Sequence, residues 1–217
     1  SQMELANLSV MGSVSAQSLI TNTLVGGNCF QVGNVSSSGN GSSRGSFTSG
    51  ATNIGLSSGI ALCTGPVTIL PGPNNSQSAN GGYNTNSADD PDLATLTSGN
   101  QFDRSAIEFD FTPTASTVQF DFVFGSEEYC EFVGSQYNDV FGFFISGPGI
   151  SGNQNLATLP GGGTPVSVNT VNHQTNNDYY INNNNGGINC PFLPPVALTE
   201  CQLDGWTTVP VSYTHLT

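Results

Sequence analysis

Apolar and polar residues alternate strictly in the middle of this chain, and this pattern constrains the fold more than any other feature. In "AIEFDFTP", Ile107, Phe109 and Phe111 fall on one face of an extended chain. Glu108 and Asp110 fall on the other face. In "STVQFDFVFG" the same spacing places four apolar residues on a shared face. Side chains of a β-strand alternate with a period of two, so both segments are predicted to be half-buried strands.

Turn-forming residues divide the rest of the chain into short segments. The 217 residues include 27 Gly and 12 Pro, spread throughout, and helical periodicity is almost absent. Many short strands with closely spaced turn signals are typical of sandwiches and barrels. The sequence therefore predicts an all-β fold: one domain over residues 1–217, an antiparallel, jelly-roll-like β-sandwich with long Asn- and Gly-rich loops.

The charge balance restricts the classes of partner. Charged residues make up only 8 % of the chain, Lys is absent, and Arg44 and Arg104 face 15 acids, for a net charge of -13. Such an acidic chain is not expected to bind nucleic acid or an anionic membrane, although it is compatible with cations. No apolar run reaches the roughly 20 residues that span a bilayer, so no membrane insertion is expected in this segment.

Eleven of the acids lie between Asp89 and Asp139, and their crowding suggests a cation site. Like charges in contact repel unless they are exposed, protonated or bound to a cation, and Ca²⁺ prefers oxygen ligands. If the strands on either side of "GSEEYCEFVGSQYND" pair as a hairpin, Glu127, Glu128, Asn138 and Asp139 converge as a hypothetical Ca²⁺ site. The alternative is that they are solvated turn residues.

Asp90 and Asp92 flank Pro91 in a second acidic segment, "SADDPDLATL". They are candidates for the same Ca²⁺ site or for another one. The alternative, which we favour, is that they cap a turn through Asx hydrogen bonds.

Paired carboxylates also raise the question of glycoside hydrolysis. Adjacent Glu127 and Glu128 would point apart on an extended chain, so Glu127 with Asp139 is the better candidate pair. No motif for a nucleophile, a zinc protease or phosphate binding is present. We therefore expect no enzyme activity, and a glycan-degrading enzyme is kept only as an alternative.

Several aromatic residues could stack on a sugar ring, and a carbohydrate-binding module is the other alternative. The candidates are Tyr83, Tyr129, Tyr137, Tyr179, Tyr180 and Trp206. Trp206, in "DGWTTV", is expected to pack at the start of a strand instead.

Five cysteines without CxxC spacing argue against a zinc site. Cys190 and Cys201 flank a Pro-rich loop and are predicted to form a disulfide, as suits a secreted protein. A Cys29–Cys63 pair is a further hypothesis, and the odd count leaves one cysteine without a partner in the chain.

The motifs as a set resemble the choice-of-anchor L domain family. They are "GGNCFQVGNVS", "IGLSSGIALCTG", "DPDLATL", "AIEFDFTP", "FVFGSEEYCEFVGSQYNDVFGFFISGPGI", "NLATLPGGGTPVSVNTVN" and "LDGWTTV". The resemblance covers about residues 21–209. It implies a secreted or surface-displayed bacterial module, joined in relatives to various anchoring signals that include those of type IX secretion. It implies no established catalysis, and adhesion or ligand binding as the role.

The C-terminal end departs from the pattern of the family. After "DGWTT" the chain ends in "VPVSYTHLT", so residues 210–217 are expected to be an atypical tail and the last strands of the sandwich to be missing. We expect an extracellular binding or adhesion module, Ca²⁺-stabilised, whose ligand is a glycan or a protein.

Overall fold

The fold is described by a computed structural model, which covers residues 7–25, 30–76, 78–79, 81–83, 89–184, 201–208 and 211–215. Short strands dominate it, as the turn-rich sequence predicts. They are β1 (Ser9–Gly12), β2 (Phe30–Ser38), β3 (Arg44–Thr48), β4 (Ser58–Leu62), β5 (Ala106–Pro113), β6 (Thr117–Asp121), β7 (Gly125–Ser126), β8 (Phe144–Ile145), β9 (Gln154–Asn155), β10 (Tyr180–Asn182), β11 (Gly205–Thr207) and β12 (Val211–His215).

Every pairing between these strands is antiparallel. Two sheets have three strands, in the orders β1-β3-β4 and β10-β11-β7, and three sheets have two, namely β12-β6, β2-β5 and β8-β9. The prediction of an all-β, antiparallel fold is confirmed. The finer prediction of a jelly-roll-like sandwich stays a prediction.

Helical structure in the described part of the chain is short. A single turn, α1 (Ala16–Ser18), runs into a π-helical turn over Leu19–Leu24. Ser15 caps α1 by accepting a hydrogen bond from the Ser18 N–H, at 3.2 Å. Single 3₁₀ turns lie at Gly41–Ser43, Val67–Ile69, Leu93–Thr95 and Asn177–Tyr179.

Strand β5 coincides with the "AIEFDFTP" segment and confirms its predicted alternation. Ile107, Phe109 and Phe111 are partly buried, whereas Glu108 and Asp110 are exposed. Its partner β2 carries a bulge between Gly33 and Ser36. Asn34, in the bulge, has a left-handed φ of 51° and donates a 2.6 Å hydrogen bond to Asp110 Oδ2. An asparagine tolerates this conformation better than most residues, so the bulge is consistent with the sequence.

Two clusters of apolar side chains form the core. The phenylalanine cluster has Phe122, Phe124, Tyr129, Ala157, Leu159, Val166, Val168 and Val171 at its centre. Phe120 and Phe143 pack against it, with their rings stacked at a centroid distance of 4.0 Å. The tryptophan cluster consists of Leu8, Phe47, Ala61, Val67, Cys201 and Trp206, with Cys63 among the partly buried residues packed against it. The predicted apolar face of "STVQFDFVFG" therefore lies in the core.

The hairpin expected around "GSEEYCEFVGSQYND" is not formed. Strand β7 pairs with β11 instead. In this pair Gly205 lies opposite Ser126, and Trp206 lies opposite Gly125. Val140 forms an isolated bridge with Ser167, and β8 pairs with β9. The two sides of the expected hairpin thus pair with other segments and not with each other.

The last described residues form a strand, and the absence of the last strands of the sandwich stays a prediction. Residues 211–215 form β12, which pairs with β6 in the register Val211↔Asp121 to His215↔Thr117. They are part of a sheet and not an unpaired tail.

Replacing a phenylalanine of the phenylalanine cluster tests this core. Phe122 is 5 % exposed, and Phe122→Ala should lower the free energy of unfolding by about 3–5 kcal/mol because it leaves a cavity. Phe102 is 56 % exposed, and Phe102→Ala is the matched control, expected to change stability by less than about 0.5 kcal/mol. Urea denaturation measures both values, and equal losses in the two variants would contradict the assignment of the core.

Candidate functional site

The end of the β7–β11 pair brings two carboxylates to one place. Glu127 follows β7 directly, and Asp204 directly precedes β11. Because Ser126 lies opposite Gly205, the next residue of each antiparallel strand emerges at the same end. The negative charge of Asp204 is accordingly among those that act on Glu127.

Successive turns after Glu128 add a third carboxylate. The Phe132 N–H donates to the Glu128 carbonyl at 3.2 Å, and the Ser135 N–H donates to the Phe132 carbonyl at 2.9 Å. Cys130 adopts a left-handed φ of 60°, which helps the chain to turn. Glu131 is thereby placed where its charge acts on Glu127, Glu128 and Asp204.

Ser126 connects a further carboxylate, that of Asp139, to the end of β7. Its hydroxyl donates to Asp139 Oδ2 at 2.8 Å and accepts from the Glu128 N–H at 2.9 Å. Ser126 is only 3 % exposed, so this contact is held inside the protein. We call the five carboxylates the acidic cluster: Glu127, Glu128, Glu131, Asp139 and Asp204.

Hydrogen bonding in the acidic cluster is incomplete. Glu127 Oε2 accepts from the Ala79 N–H at 2.9 Å, but Glu127 Oε1 is buried without a hydrogen-bond partner among the described residues. Glu128 Oε2 is in the same situation. A buried carboxylate oxygen without a donor is costly when it is charged, so both groups gain from taking up a proton or a cation.

Burial raises the pKa of four of these carboxyl groups. It raises the pKa of Glu127 to about 8, with a further increase from Asp204, Glu131 and Glu128, against the lowering effect of the Ala79 N–H. Burial, then the charges of Asp139 and Glu131, raise the pKa of Glu128 to about 7. Burial likewise raises the pKa of Asp139, against the hydrogen bond from Ser126. The acidic cluster is therefore partly protonated near neutral pH.

Asp204 belongs to a network of buried amides. Burial raises its pKa to about 6, although the hydrogen bond from Asn74 opposes this shift. Asn74 Nδ2 donates to Asp204 Oδ1 and to the Asn183 carbonyl, both at 2.8 Å. Asn183 Nδ2 donates to the Leu203 carbonyl at 2.8 Å, and Gln202 Nε2 donates to Asn74 Oδ1 at 3.3 Å. Asn74 and Asn183 are both fully buried, so these amides fix the backbone on which Asp204 stands.

The structure thus brings together three of the six residues predicted for a metal site. The three are Glu127, Glu128 and Asp139, all of the acidic cluster. Asn138 has a different contact, since its Oδ1 accepts a hydrogen bond from the Asn169 N–H at 2.9 Å. Sequence analysis did not select Glu131 or Asp204 for the site. Asp204 directly precedes a strand, but this position predicts proximity to Glu127 only when the pairing of that strand with β7 is known.

Asp90 and Asp92 lie in a separate turn, which Asp90 caps as the alternative predicted, whereas the Asp92 side chain forms no cap hydrogen bond. Asp90 Oδ1 accepts from the Asp92 N–H at 2.9 Å and from the Leu93 N–H at 3.2 Å. Asp90 Oδ2 pairs with Arg104 Nη1 at 3.0 Å. Gln101 also contacts this turn, since its Oε1 accepts a hydrogen bond from the Asp90 N–H at 2.8 Å. The oxygens of Asp90 therefore stabilise a turn.

No three carboxylate, imidazole or thiolate side chains are arranged as a metal site within the part of the chain that the structure describes. A cation at the acidic cluster would need carbonyl or water oxygens in addition to carboxylates. A shallow depression of about 260 Å³ lies elsewhere, over the β2–β5 bulge, lined by Gln31, Val32, Gly33, Asp110, Phe111 and Thr112.

The aromatic candidates divide by exposure. Tyr129 and Trp206 are each 1 % exposed, so neither can stack on a sugar ring, and Trp206 packs in β11 as predicted. Tyr137 is 56 % exposed, with its ring edge-on to Phe132 at 5.2 Å. Tyr83, Tyr179 and Tyr180 are partly buried.

The predicted cysteine pairs are not formed in the structure. Cys63 and Cys201 are free thiols in this structure, so neither a Cys190–Cys201 nor a Cys29–Cys63 disulfide is present in it. Cys130 is disulfide-bonded. Cys29 and Cys190 lie outside the described residues. Cys201 takes part in an isolated bridge with Pro71 and is buried in the tryptophan cluster.

The fold and the site define a charge-poor, all-β domain with a buried acidic cluster. The family model of the choice-of-anchor L domain matches residues 9–216, so the chain belongs to this family. Membership indicates a module of a secreted or surface-displayed bacterial protein, and choice-of-anchor domains are not known as enzymes. No curated protein and no solved structure matches the chain significantly.

The family match is longer than the resemblance over residues 21–209 suggested. It extends to residue 216 and so includes β12. In the described part of the chain, no helix has the length and apolar character needed to cross a bilayer.

The raised pKa values predict an unusual dependence of stability on pH. The pKa of Glu127 rises from an ordinary 4.5 to about 8 in the folded protein, so folding favours the protonated form. Its contribution to stability is complete below pH 4.5 and is lost as the pH rises through 8. The melting temperature should therefore fall between pH 5 and pH 9, as thermal unfolding followed by circular dichroism will measure.

Glu127→Gln should flatten this decline, because glutamine keeps the acceptor for the Ala79 N–H and carries no charge. At pH 9 the variant should be more stable by about 1–2 kcal/mol after allowance for the solvent exposure of Glu127, which is roughly 2–8 °C in melting temperature. Asp121→Asn, which removes a charge from an exposed position, is the control for general repulsion. Parallel pH curves for the wild type and Glu127→Gln would rule out the explanation.

Proposed function

We propose that this domain is a binding or adhesion module of a secreted or surface-displayed bacterial protein. The observation that carries the proposal is the family match over residues 9–216, which indicates the location of the protein. The binding role itself is our inference. Its ligand is an extracellular glycan or protein, and export by type IX secretion is a further part of the proposal that rests on the resemblance alone.

The composition of the chain supports a role outside the cytoplasm. Solubility rests on Asn, Ser, Thr and Gly, since only 8 % of the residues are charged. Among the described residues, large apolar side chains are exposed at separate places, including Met11, Phe102 and Tyr137. Exposed aromatic residues are frequent at recognition surfaces, because they contribute contact area with little loss of side-chain entropy.

A carbohydrate ligand is the more specific alternative, and Tyr137 supports it. Tyr137 lies at the end of the turns that follow Glu128, and its N–H donates to Ser135 Oγ at 3.0 Å. Phe132, at 5.2 Å, supports the ring edge-on. A rigidly held, half-exposed aromatic ring is suited to stacking on the apolar face of a sugar.

The alternative of a glycan-degrading enzyme finds little support in the geometry. The charges that raise the pKa of Glu127 are those of Asp204, Glu131 and Glu128, whereas Asp139 acts on Glu128. A glycosidase needs one protonated and one ionised carboxyl group on opposite sides of a bond. Glu127 and Asp139 are instead both shifted towards the protonated form.

Calcium remains part of the proposal as a stabilising ion at the acidic cluster. The support comes from two buried carboxylate oxygens without donors and from the mutual repulsion of the five acids. A divalent cation would coordinate the buried oxygens that have no donor and would also offset the repulsion between the acids. Protons can do the same at low pH, so calcium and protons are expected to compete for these carboxylates.

A labelled domain applied to arrays of glycans and of immobilised extracellular proteins, with and without EDTA, tests the binding role. If the ligand is a glycan, Tyr137→Ala should weaken binding at least tenfold, since it removes the stacking surface. Phe102→Ala removes an equally exposed ring at another position and should leave binding unchanged. Binding to proteins alone would exclude the carbohydrate alternative, and an absence of binding on both arrays would contradict the proposed role.

Titration with CaCl₂ at pH 8 tests the calcium proposal separately. Calcium at 10 to 100 times its Kd should stabilise the fold by roughly 1.4 to 2.7 kcal/mol, visible as a rise in melting temperature. The rise should be lost in Glu127→Gln and in Asp139→Asn but retained in Asp121→Asn. An unchanged melting temperature of the wild type at millimolar calcium would refute the calcium proposal and leave the binding role open.

A further inference from the structure

Two free thiols share one apolar cluster of the core. Cys201 is 1 % exposed and belongs to the tryptophan cluster, and Cys63 packs against the same cluster. Both are free in the structure, and Cys63 keeps partial exposure to solvent. Cys63 follows β4, whereas Cys201 lies just before the segment that leads into β11. The two thiols therefore come from distant parts of the chain.

Backbone contacts hold the two segments together on either side of the thiols. The Cys63 N–H donates to the Ser43 carbonyl at 2.9 Å, which fixes the end of β4 against the 3₁₀ turn that precedes β3. The short turn at Val67–Ile69 then returns the chain to Pro71, which forms an isolated antiparallel bridge with Cys201. The Gln202 N–H donates to the Leu70 carbonyl at 2.9 Å. The segment that follows Cys63 is thus held against Cys201, and both cysteines pack at the same cluster.

The electrostatics of the pair agree with this proximity. Burial and then the charge of Cys201 raise the pKa of Cys63 to about 12. Burial is also the main reason that the pKa of Cys201 rises to about 11. The effect of Cys201 on the pKa of Cys63 agrees with the placement of both side chains at one cluster.

We propose that Cys63 and Cys201 are joined by a disulfide in the protein once it has passed through an oxidising compartment. The bond would connect the end of β4 with the segment before β11. It would also fix the backbone next to Asp204, and hence one wall of the acidic cluster. Disulfides persist in secreted proteins, which is the location that the family indicates.

The chemistry is thiol–disulfide exchange, and the oxidant is a protein or small-molecule disulfide. Cys63, the more exposed thiol, attacks the oxidant as a thiolate and releases one thiol. Cys201 then attacks the Cys63 sulfur of the mixed disulfide and releases the second thiol. The pair loses two electrons and two protons, and the oxidant gains them. Thiolates are scarce in the folded core, so the exchange occurs during folding, before the tryptophan cluster closes.

The positions of the arginines make this proposal directly testable. The chain has no Lys, so trypsin cleaves only after Arg44 and Arg104 and yields the fragments 1–44, 45–104 and 105–217. Fragment 45–104 contains Cys63 as its only cysteine, and Cys201 lies in fragment 105–217. The full chain is refolded in reduced and oxidised glutathione, alkylated in denaturant, digested without reductant and analysed by mass spectrometry. We expect fragment 45–104 to remain attached to 105–217 until a reductant releases it.

Matched variants identify the partner of Cys63. Cys201→Ser should release fragment 45–104 without reductant, and Cys190→Ser should leave it attached. The proposal is overturned if the wild type releases free, alkylated 45–104 before reduction. It is equally overturned if Cys201→Ser retains the attachment or Cys190→Ser loses it, since Cys63 would then have another partner. If a variant fails to fold, the linked wild-type fragments are digested further with a protease that cleaves after Glu and Asp, which separates Cys130, Cys190 and Cys201 and so identifies the partner.

Discussion

The antiparallel pair formed by β7 and β11 supports both parts of the core and the candidate site. Trp206 of β11 lies in the tryptophan cluster, and the Thr207 N–H donates to the carbonyl of Phe124, in the phenylalanine cluster, at 2.8 Å. At the end of the same pair, Glu127 and Asp204 emerge side by side. A change in this register would move every second side chain to the opposite face, so the acidic cluster depends on the same pairing as the core.

Burial of carboxyl groups makes the net charge of the folded chain less negative than its formal value. The formal net charge of -13 assumes that every carboxyl group is ionised. The pKa of Glu127 is raised to about 8 and that of Glu128 to about 7, so part of this charge is neutralised near pH 7. The acids between the two Phe-rich segments are thus not a solvated surface, and within the described residues no three of them are arranged as a metal site. They are carboxylates that the packing of the core has placed under mutual repulsion.

Local features of the fold could be predicted from sequence, and non-local ones could not. The alternation in β5 and the Asx turn at Asp90 depend on neighbours within a few residues, and both are confirmed. The hairpin was wrong because the partner of β7 is β11, roughly eighty residues further along the chain. Asp204 was missed for the same reason. Glu128 and Asp139 still converge, because the Ser126 hydroxyl connects them in place of a strand pairing.

The hydrogen-bond donors that hold the acidic cluster are neutral, and they leave its negative charge uncompensated. Asp204 is held by the amide of Asn74, Asp139 by the hydroxyl of Ser126, and Glu127 by the backbone N–H of Ala79. Neutral donors fix the positions of carboxylates but cannot cancel their charge as an arginine would. Arg104, one of the two strong bases of the chain, pairs with Asp90 in the separate turn. Protons or cations from solution can balance the charge that these neutral donors leave at the cluster, so the stability of the domain is coupled to the composition of its surroundings.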